Sequence, residues 1–207
     1  MTAAIKSSPD GTQAIIQVGG VDKVTVGASG ITAGSYAPAS VTPTELSQKL
    51  TMATAQAATS GTSIDFTGIP SWVKRITVMF NGVSTNGTSA IQLQLGTSVG
   101  VETTGYLGAT TGLSASSLAT SNATAGIQLD HSSAATAAAI RHGAVSFVNI
   151  SGNSWVASGS LGRSDVTTNS LVSYSKTLSN TINRIRLTTV NGTDTFDAGS
   201  VNILYEG

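Results

Sequence analysis

The sequence predicts an all-β protein: an antiparallel, jelly-roll-like β-sandwich knob, preceded by a short-stranded N-terminal segment and one short helix. Three observations carry this. From about residue 61 onward, apolar residues recur at every second position, the period of a half-buried strand. Turn dipeptides such as Asn81-Gly82 and Asn86-Gly87 separate the runs. Several short strands at regular spacing with turn signals between them describe a sandwich rather than a helical or α/β fold.

Residues 1 to about 41 are cut into short runs by Gly11, Gly19, Gly20, Gly27, Gly30 and Gly34. In AIIQV and KVTV the apolar residues lie two apart, Ile16 with Val18 and Val24 with Val26. Gly19-Gly20 reads as the hairpin turn between them. A disordered tail is the competing reading, and the β-branched content argues against it. Two or three isolated strands are marginal in water. Their partners are therefore expected on other copies of the chain.

The stretch VTPTELSQKL carries a capping box, Thr42 with Glu45, and Pro43 at the first helical position. Leu46 and Leu50 give it one apolar stripe, so a helix is expected from about 43 to 51. The expected domains are 1–41, an attachment or shaft segment; 42–60, helix and linker; and 61–207, the knob.

Within the knob, WVKRITVMF sets Ile76, Val78 and Phe80 on one face. AIQLQLG sets Ile91, Leu93 and Leu95 against Gln92 and Gln94, a half-buried strand with the glutamines toward water. Later strands are AVSFVNI, SWVASGSL, LVSYSKTL, NRIRLTTV and SVNILYE, with Ile185, Leu187, Val201 and Ile203 inward and Tyr205 on the same face as the last two. Ser151-Gly152-Asn153 reads as a hairpin turn. Trp72 and Phe80 read as core, while Trp155 and Tyr174 fit either core or surface. Between Gly96 and about Ile140 the pattern loosens. Short strands are expected there, around 98–107 and 124–130, because a long structureless loop is unusual in a compact domain. SSAATAAAIRHG fits either an alanine-driven helix or a loop.

Composition removes several classes of function. Ten basic and ten acidic side chains give a net charge of zero, and charged residues are 10% of the chain, against about 25% in an average protein. Such a chain lacks the electrostatic footprint for nucleic acid or an anionic membrane. No run reaches the roughly 18 apolar residues of a membrane span. There is no cysteine, hence no disulfide and no thiolate metal site. The opening MTAAIKSSPDG has no apolar leader core, so assembly in the cytoplasm is expected.

Catalytic sets are equally thin. Asp130-His131-Ser132-Ser133 holds the letters of a triad, but adjacency in sequence is not triad geometry. There is no nucleophile elbow or phosphate loop, and the acids are scattered, with no spacing that pairs two across a sugar bond. Asp194 and Asp197 read as turn-forming residues, with a bound cation as the lesser reading. No enzyme activity, metal or cofactor is expected. The surface candidates for ligand contact are Tyr106, in the Gly/Thr-rich stretch, and Arg163 and Asp165, in a turn between strands.

IDFTGIPSWVKRITVMFNGVSTNGTSAIQLQLG, with the ending GTDTFDAGSVNILYEG, resembles the C-terminal domains of bacteriophage tail-fibre and related virion fibre proteins. DGTQAIIQVGGVDKVTVGASGITAG is similar to the shaft-type repeats ahead of such domains. The resemblance implies a homotrimeric virion fibre whose terminal β-sandwich knobs bind a host-surface glycan or protein through loops. Other virion proteins would hold its N-terminal segment. It transfers no individual residue. Alternatives are a capsid decoration or head fibre, a baseplate component, or a polysaccharide depolymerase. Against the last, residues 61–207 show no solenoid repeat.

Overall fold

A computed structural model describes residues 3–12, 14–18, 21–27, 30–34, 50–131 and 135–207. The chain divides into two compact units, Met1–Ser47 and Gln48–Gly207.

Among the described residues the first unit holds a four-stranded antiparallel meander of β1 (Ala3–Ser7), β2 (Ala14–Val18), β3 (Val21–Gly27) and β4 (Gly30–Gly34), each strand paired with the next. AIIQV and KVTV lie in β2 and β3, and Val18 pairs with Val21, so only two residues join these strands. The turn between β1 and β2 is Ser8-Pro9-Asp10-Gly11, with Gly11 at φ 71°. Asp10 Oδ1 accepts from the Ser8 hydroxyl at 2.5 Å, the Thr12 amide at 3.1 Å and the Thr12 hydroxyl at 2.8 Å. These bonds, that from Ser8 foremost, hold the Asp10 carboxyl down at about 2. Ile5 pairs directly with Ile16 across β1 and β2, and both are exposed, Ile5 at 77% and Ile16 at 37%.

The second unit runs through β5 (Thr51–Met52), β6 (Gln56–Ala57), β7 (Ser63–Thr67), β8 (Arg75–Thr85), β9 (Ile91–Gly96) and β10 (Tyr106–Ser114). It continues through β11 (Leu118–Ser121), β12 (Ile127–Gln128), β13 (Arg141–Ser151), β14 (Ser154–Arg163), β15 (Thr168–Thr177), β16 (Arg184–Thr189) and β17 (Phe196–Glu206). The larger sheet has the order β11-β10-β15-β14-β13-β8-β17-β5, with β6 also paired to β17. The smaller has the order β12-β9-β16-β7. All pairs are antiparallel, and the pairing is nested: β8 with β17, β9 with β16, β10 with β15, then the β13–β14 hairpin inside. Nested pairs shared between two sheets are the signature of a jelly-roll-like sandwich, as the alternation predicts.

The core lies between the sheets. Ile76, Val78, Phe80, Ile91, Leu93, Leu95, Ile185, Leu187, Val201 and Ile203 are all buried in one cluster. Phe147, Trp155, Tyr174 and Phe196 join it, which settles Trp155 and Tyr174 as core. Trp72 and Tyr205 are half-buried at its rim, their ring centres 5.9 Å apart.

The structure departs from the expectations at several points, and one expectation goes untested. The expected helix lies mostly outside the described residues, and its last residue, Thr51, opens strand β5. Among the described residues there is no helix. Within the expected 42–60 segment, β5 and β6 are short strands of the sandwich, seated along β17. Strand β9 is buried on both faces, Gln92 at 3% and Gln94 at 6% exposure, because the chain entering β12 closes over them. Gln94 Nε2 donates to the Ala125 carbonyl at 2.9 Å, and a side chain at Gly126 would strike Gln92 Oε1. Finally, Asn81-Gly82 is no turn. It is a bulge inside β8, where the register to β13 slips and Gly82 takes φ 69°. Gly199 of β17 lies against it, so close that a Cβ there would sit 2.3 Å from the Gly82 carbonyl oxygen. In the loosened stretch the strands are β10, β11 and β12: β10 begins at Tyr106 rather than near 98, β12 falls within the expected 124–130, and residues 135–140 lead into β13 without forming a helix.

Replacing Leu93 by Ala should destabilise the protein by roughly 2–5 kcal/mol, the range for buried leucines. Replacing Ser158, exposed on the outer face of β14, by Ala should change stability by less than about 0.5 kcal/mol. Urea unfolding followed by circular dichroism measures both, and equal losses would contradict the assignment of faces.

Candidate functional site

One set of polar groups converging on a concavity sits at one end of the larger sheet. Strand alternation places them. On β13 the inward series Phe147, Val145, Gly143 continues to Arg141, and on β14 the series Trp155, Ala157, Gly159, Leu161 continues to Arg163. Arg141 and Arg163 are directly opposite in the β13–β14 register. Like charges directly opposite repel, so each needs its own carboxylate.

Both have one. Arg141, 1% exposed, donates from Nε to Asp130 Oδ2 at 2.5 Å and from Nη1 to the Ala139 carbonyl at 2.9 Å. Its Nη2 is buried and has no hydrogen-bond partner. Burial pushes the Asp130 carboxyl above its usual range, and the guanidinium of Arg141 opposes that rise. Arg163 donates from Nε to Asp165 Oδ1 at 3.0 Å, from Nη2 to Asp165 Oδ2, and from Nη2 to the Thr136 hydroxyl at 3.2 Å. These bonds from Arg163, with a further one from the Ile140 amide at 3.1 Å, outweigh partial burial and bring the Asp165 carboxyl down to about 2.

Beside this pair of ion pairs lies a recess of about 250 Å³. Ser114 and Ser117, at the β10–β11 turn, form one wall, their hydroxyls 2.8 Å apart. Thr168 and Asn169, at the start of β15, form another, because Thr168 pairs with Ser114 and Asn169 with Leu113. His131 and Arg163 close it. The His131 ring rests directly on Gly112, where a Cβ would come within 1.8 Å of it. Only glycine admits the ring there. The Thr168 hydroxyl is buried and has no hydrogen-bond partner.

Arg163 and Asp165 are thus brought together, as an ion pair on the rim of a concave site. Tyr106 is not with them. It starts β10, eight residues and about 27 Å of strand from Ser114. It is also completely buried, so its expected exposure is corrected. Its hydroxyl accepts from the Leu95 amide at 2.6 Å and donates to the Glu102 carbonyl at 2.9 Å. Burial pushes its pKa above the usual phenol value. Lys176 lies 5.5 Å from the centre of its ring and forms an ion pair of 2.6 Å with Glu102. Burial alone would raise the Glu102 carboxyl, but bonds from Lys176 and Ser179 outweigh it, and it sits below its usual value. The Gly/Thr-rich surroundings hid all this, since the aromatic anchors a strand whose other members are small.

Thr168, Asn169 and Ser114 carried no signal in a chain rich in such residues, and His131 stood out only as a letter of the dismissed triad pattern. His142 is structural: its Nδ1 accepts from the Gly82 amide at 3.2 Å, so Nε2 bears the proton and meets the Ser164 hydroxyl at 3.2 Å. Asp194 behaves as a turn residue. It accepts from the Ser89 amide at 2.9 Å and from Asn191 Nδ2 at 2.6 Å. Asn191 Oδ1 in turn accepts from the Thr193 amide at 3.0 Å. Asp197 accepts from the Ser84 hydroxyl. Among the described residues no three His, Asp or Glu side chains lie close enough to hold a metal ion.

No family model, no curated protein and no solved structure matches the chain.

Two outcomes follow from this geometry. Tyr106→Phe should destabilise the fold by about 1–3 kcal/mol, because the Leu95 amide loses its buried acceptor. A loss near zero in thermal or urea unfolding would contradict the anchoring role. Asp165 should titrate near 2 by NMR, below an ordinary carboxylate. A depressed folded-state pKa stabilises above the unfolded value and is lost as pH falls. The protection factor of the Ile140 amide, referred to the intrinsic exchange rate at each pH, should therefore hold above about pH 4 and fall as pH drops toward 2, and in Asp165→Ala it should be low at every pH.

Proposed function

We propose that the chain is a structural and adhesive fibre protein of a bacteriophage virion, a homotrimer that contacts a host-surface molecule through its sandwich. The observation that carries this reading is the first unit. Its described residues form a glycine-punctuated meander that presents the Ile5–Ile16 pair to solvent, on the face opposite the buried Ile15. An apolar sheet face of this kind is stable when something covers it. Copies of the same chain, wound about an axis, cover it without leaving an open edge for runaway pairing. A net charge of zero removes repulsion between the copies.

The sandwich supports the adhesive half of the reading. Its larger sheet ends in turns that carry hydroxyl, amide and imidazole groups around a recess. Convergent polar groups in a concavity are the usual form of a small-ligand site. The ligand on the host is a glycan, read by hydrogen bonds rather than by surplus charge. The N-terminal unit attaches to other virion proteins.

Light scattering on the full-length protein should give about three times the 20.7 kDa chain mass. Replacing Ile5 and Ile16 by Asp should weaken that assembly, since a buried charge without a partner is costly. The purified protein should bind whole cells of some bacterial strains and not others. A monomer at micromolar concentration that adheres to no strain would overturn the proposal.

A further inference from the structure

We propose that the recess beside Arg163 takes one uncharged sugar residue, the terminal unit of a glycan, and rejects acidic sugars. The inference rests on the adhesive reading above and specifies the site and chemistry it left open.

Size comes first. At about 250 Å³ the recess falls just below the roughly 300–1,000 Å³ of pockets for drug-sized ligands. It holds a single ring with its substituents, not an internal stretch of a polymer.

Charge comes second. Arg141 and Arg163 bring two positive charges to this corner, and Asp130 and Asp165 bring two negative ones. Each arginine is committed to its carboxylate, Arg163 through both Nε and Nη2. Asp165, held at about 2, keeps its charge through the neutral range. A ligand carboxylate entering here would meet an Arg163 already paired through Nε and Nη2, and could claim it only by displacing Asp165. That competition selects against an anion.

Hydrogen bonding comes third. Ser114, Ser117, Asn169 and Thr168 supply hydroxyl and amide groups, each able to donate and accept. A sugar hydroxyl has the same dual character. The Thr168 hydroxyl is buried without a partner at the wall of the recess. An unpaired buried hydroxyl is destabilising in the free protein; a turn of the Thr168 side chain about χ1 brings it to the recess, where pairing with a ligand hydroxyl removes that penalty. Imidazole adds a further polar edge, held firmly because the His131 ring sits on Gly112.

The test uses the full-length protein and a panel of methyl glycosides: neutral hexoses, N-acetylhexosamines and a glucuronide. Binding is measured by calorimetry or ligand-observed NMR up to tens of millimolar. At least one neutral glycoside should saturate the protein, with little change when NaCl rises from about 0.05 to about 0.5 M. Thr168→Val and Asn169→Ala should each weaken it about tenfold or more. Thr168→Val should leave the melting temperature unchanged or raise it, since it deletes an unpaired hydroxyl of similar shape. Three results would overturn the proposal: no neutral glycoside saturates the protein, binding survives in both variants, or the glucuronide binds more tightly and salt weakens it. Adhesion to bacteria is scored separately with the same variants. Adhesion that persists in both variants sinks the recess and leaves the fibre reading standing. Sugar binding without adhesion to any strain does the reverse.

Discussion

The sandwich depends on one apolar layer closed between two sheets. Its inner members come from strands far apart in sequence, β8 with β17 and β9 with β16, so the layer exists only when the nested pairing is complete. Burial of each large aliphatic side chain contributes about 1.5–3 kcal/mol, and the alternation of two fixes which residues contribute. The same alternation builds the candidate site. Run along β13 and β14 past the last apolar residue, the inner face arrives at Arg141 and Arg163. The two guanidinium groups sit where the layer ends because the period puts them there.

That placement imposes its own requirement. Two cations facing each other at the mouth of a core are unfavourable unless each is neutralised, and a buried ion pair left without one partner is costly by about 3–5 kcal/mol. Asp130 reaches Arg141 from the residue before His131, and Asp165 reaches Arg163 from the β14–β15 turn. Asp165 also accepts the Ile140 amide, so one carboxylate ties the turn to the approach of β13. The corner is thereby rigid, neutral and rich in hydrogen-bonding groups, which suits recognition of hydroxyls.

Much of the fold was legible in sequence, and the reasons are specific. Ile91, Leu93 and Leu95, like Ile185 and Leu187, obey a two-residue period that no helix shares, and all five are buried, while Trp72 and Tyr205, expected with the core, reach only its rim. What period could not reveal was the second face. Gln92 and Gln94 look solvent-facing, yet the chain entering β12 covers them, a long-range effect with no local trace. Tyr106 misled for a similar reason: flanking glycines and threonines suggest a loop, whereas the ring fills the core and its hydroxyl caps β9. Asn81-Gly82 has the chemistry of a turn and serves as a bulge, because Gly199 approaches it from β17. In the site, Arg163 and Asp165 stood out as charges in a charge-poor chain. Thr168, Asn169 and Ser114 did not, since cross-strand register alone brings them together.

The two units divide the proposed work. The meander offers an apolar face for assembly, and the sandwich offers a neutral polar recess for recognition. The most direct test of the fibre account is electron microscopy of purified phage particles decorated with an antibody to this chain. The account predicts label on fibres projecting from the virion, clustered at their outer ends. Particles that carry no label while the protein remains free in the lysate would contradict it.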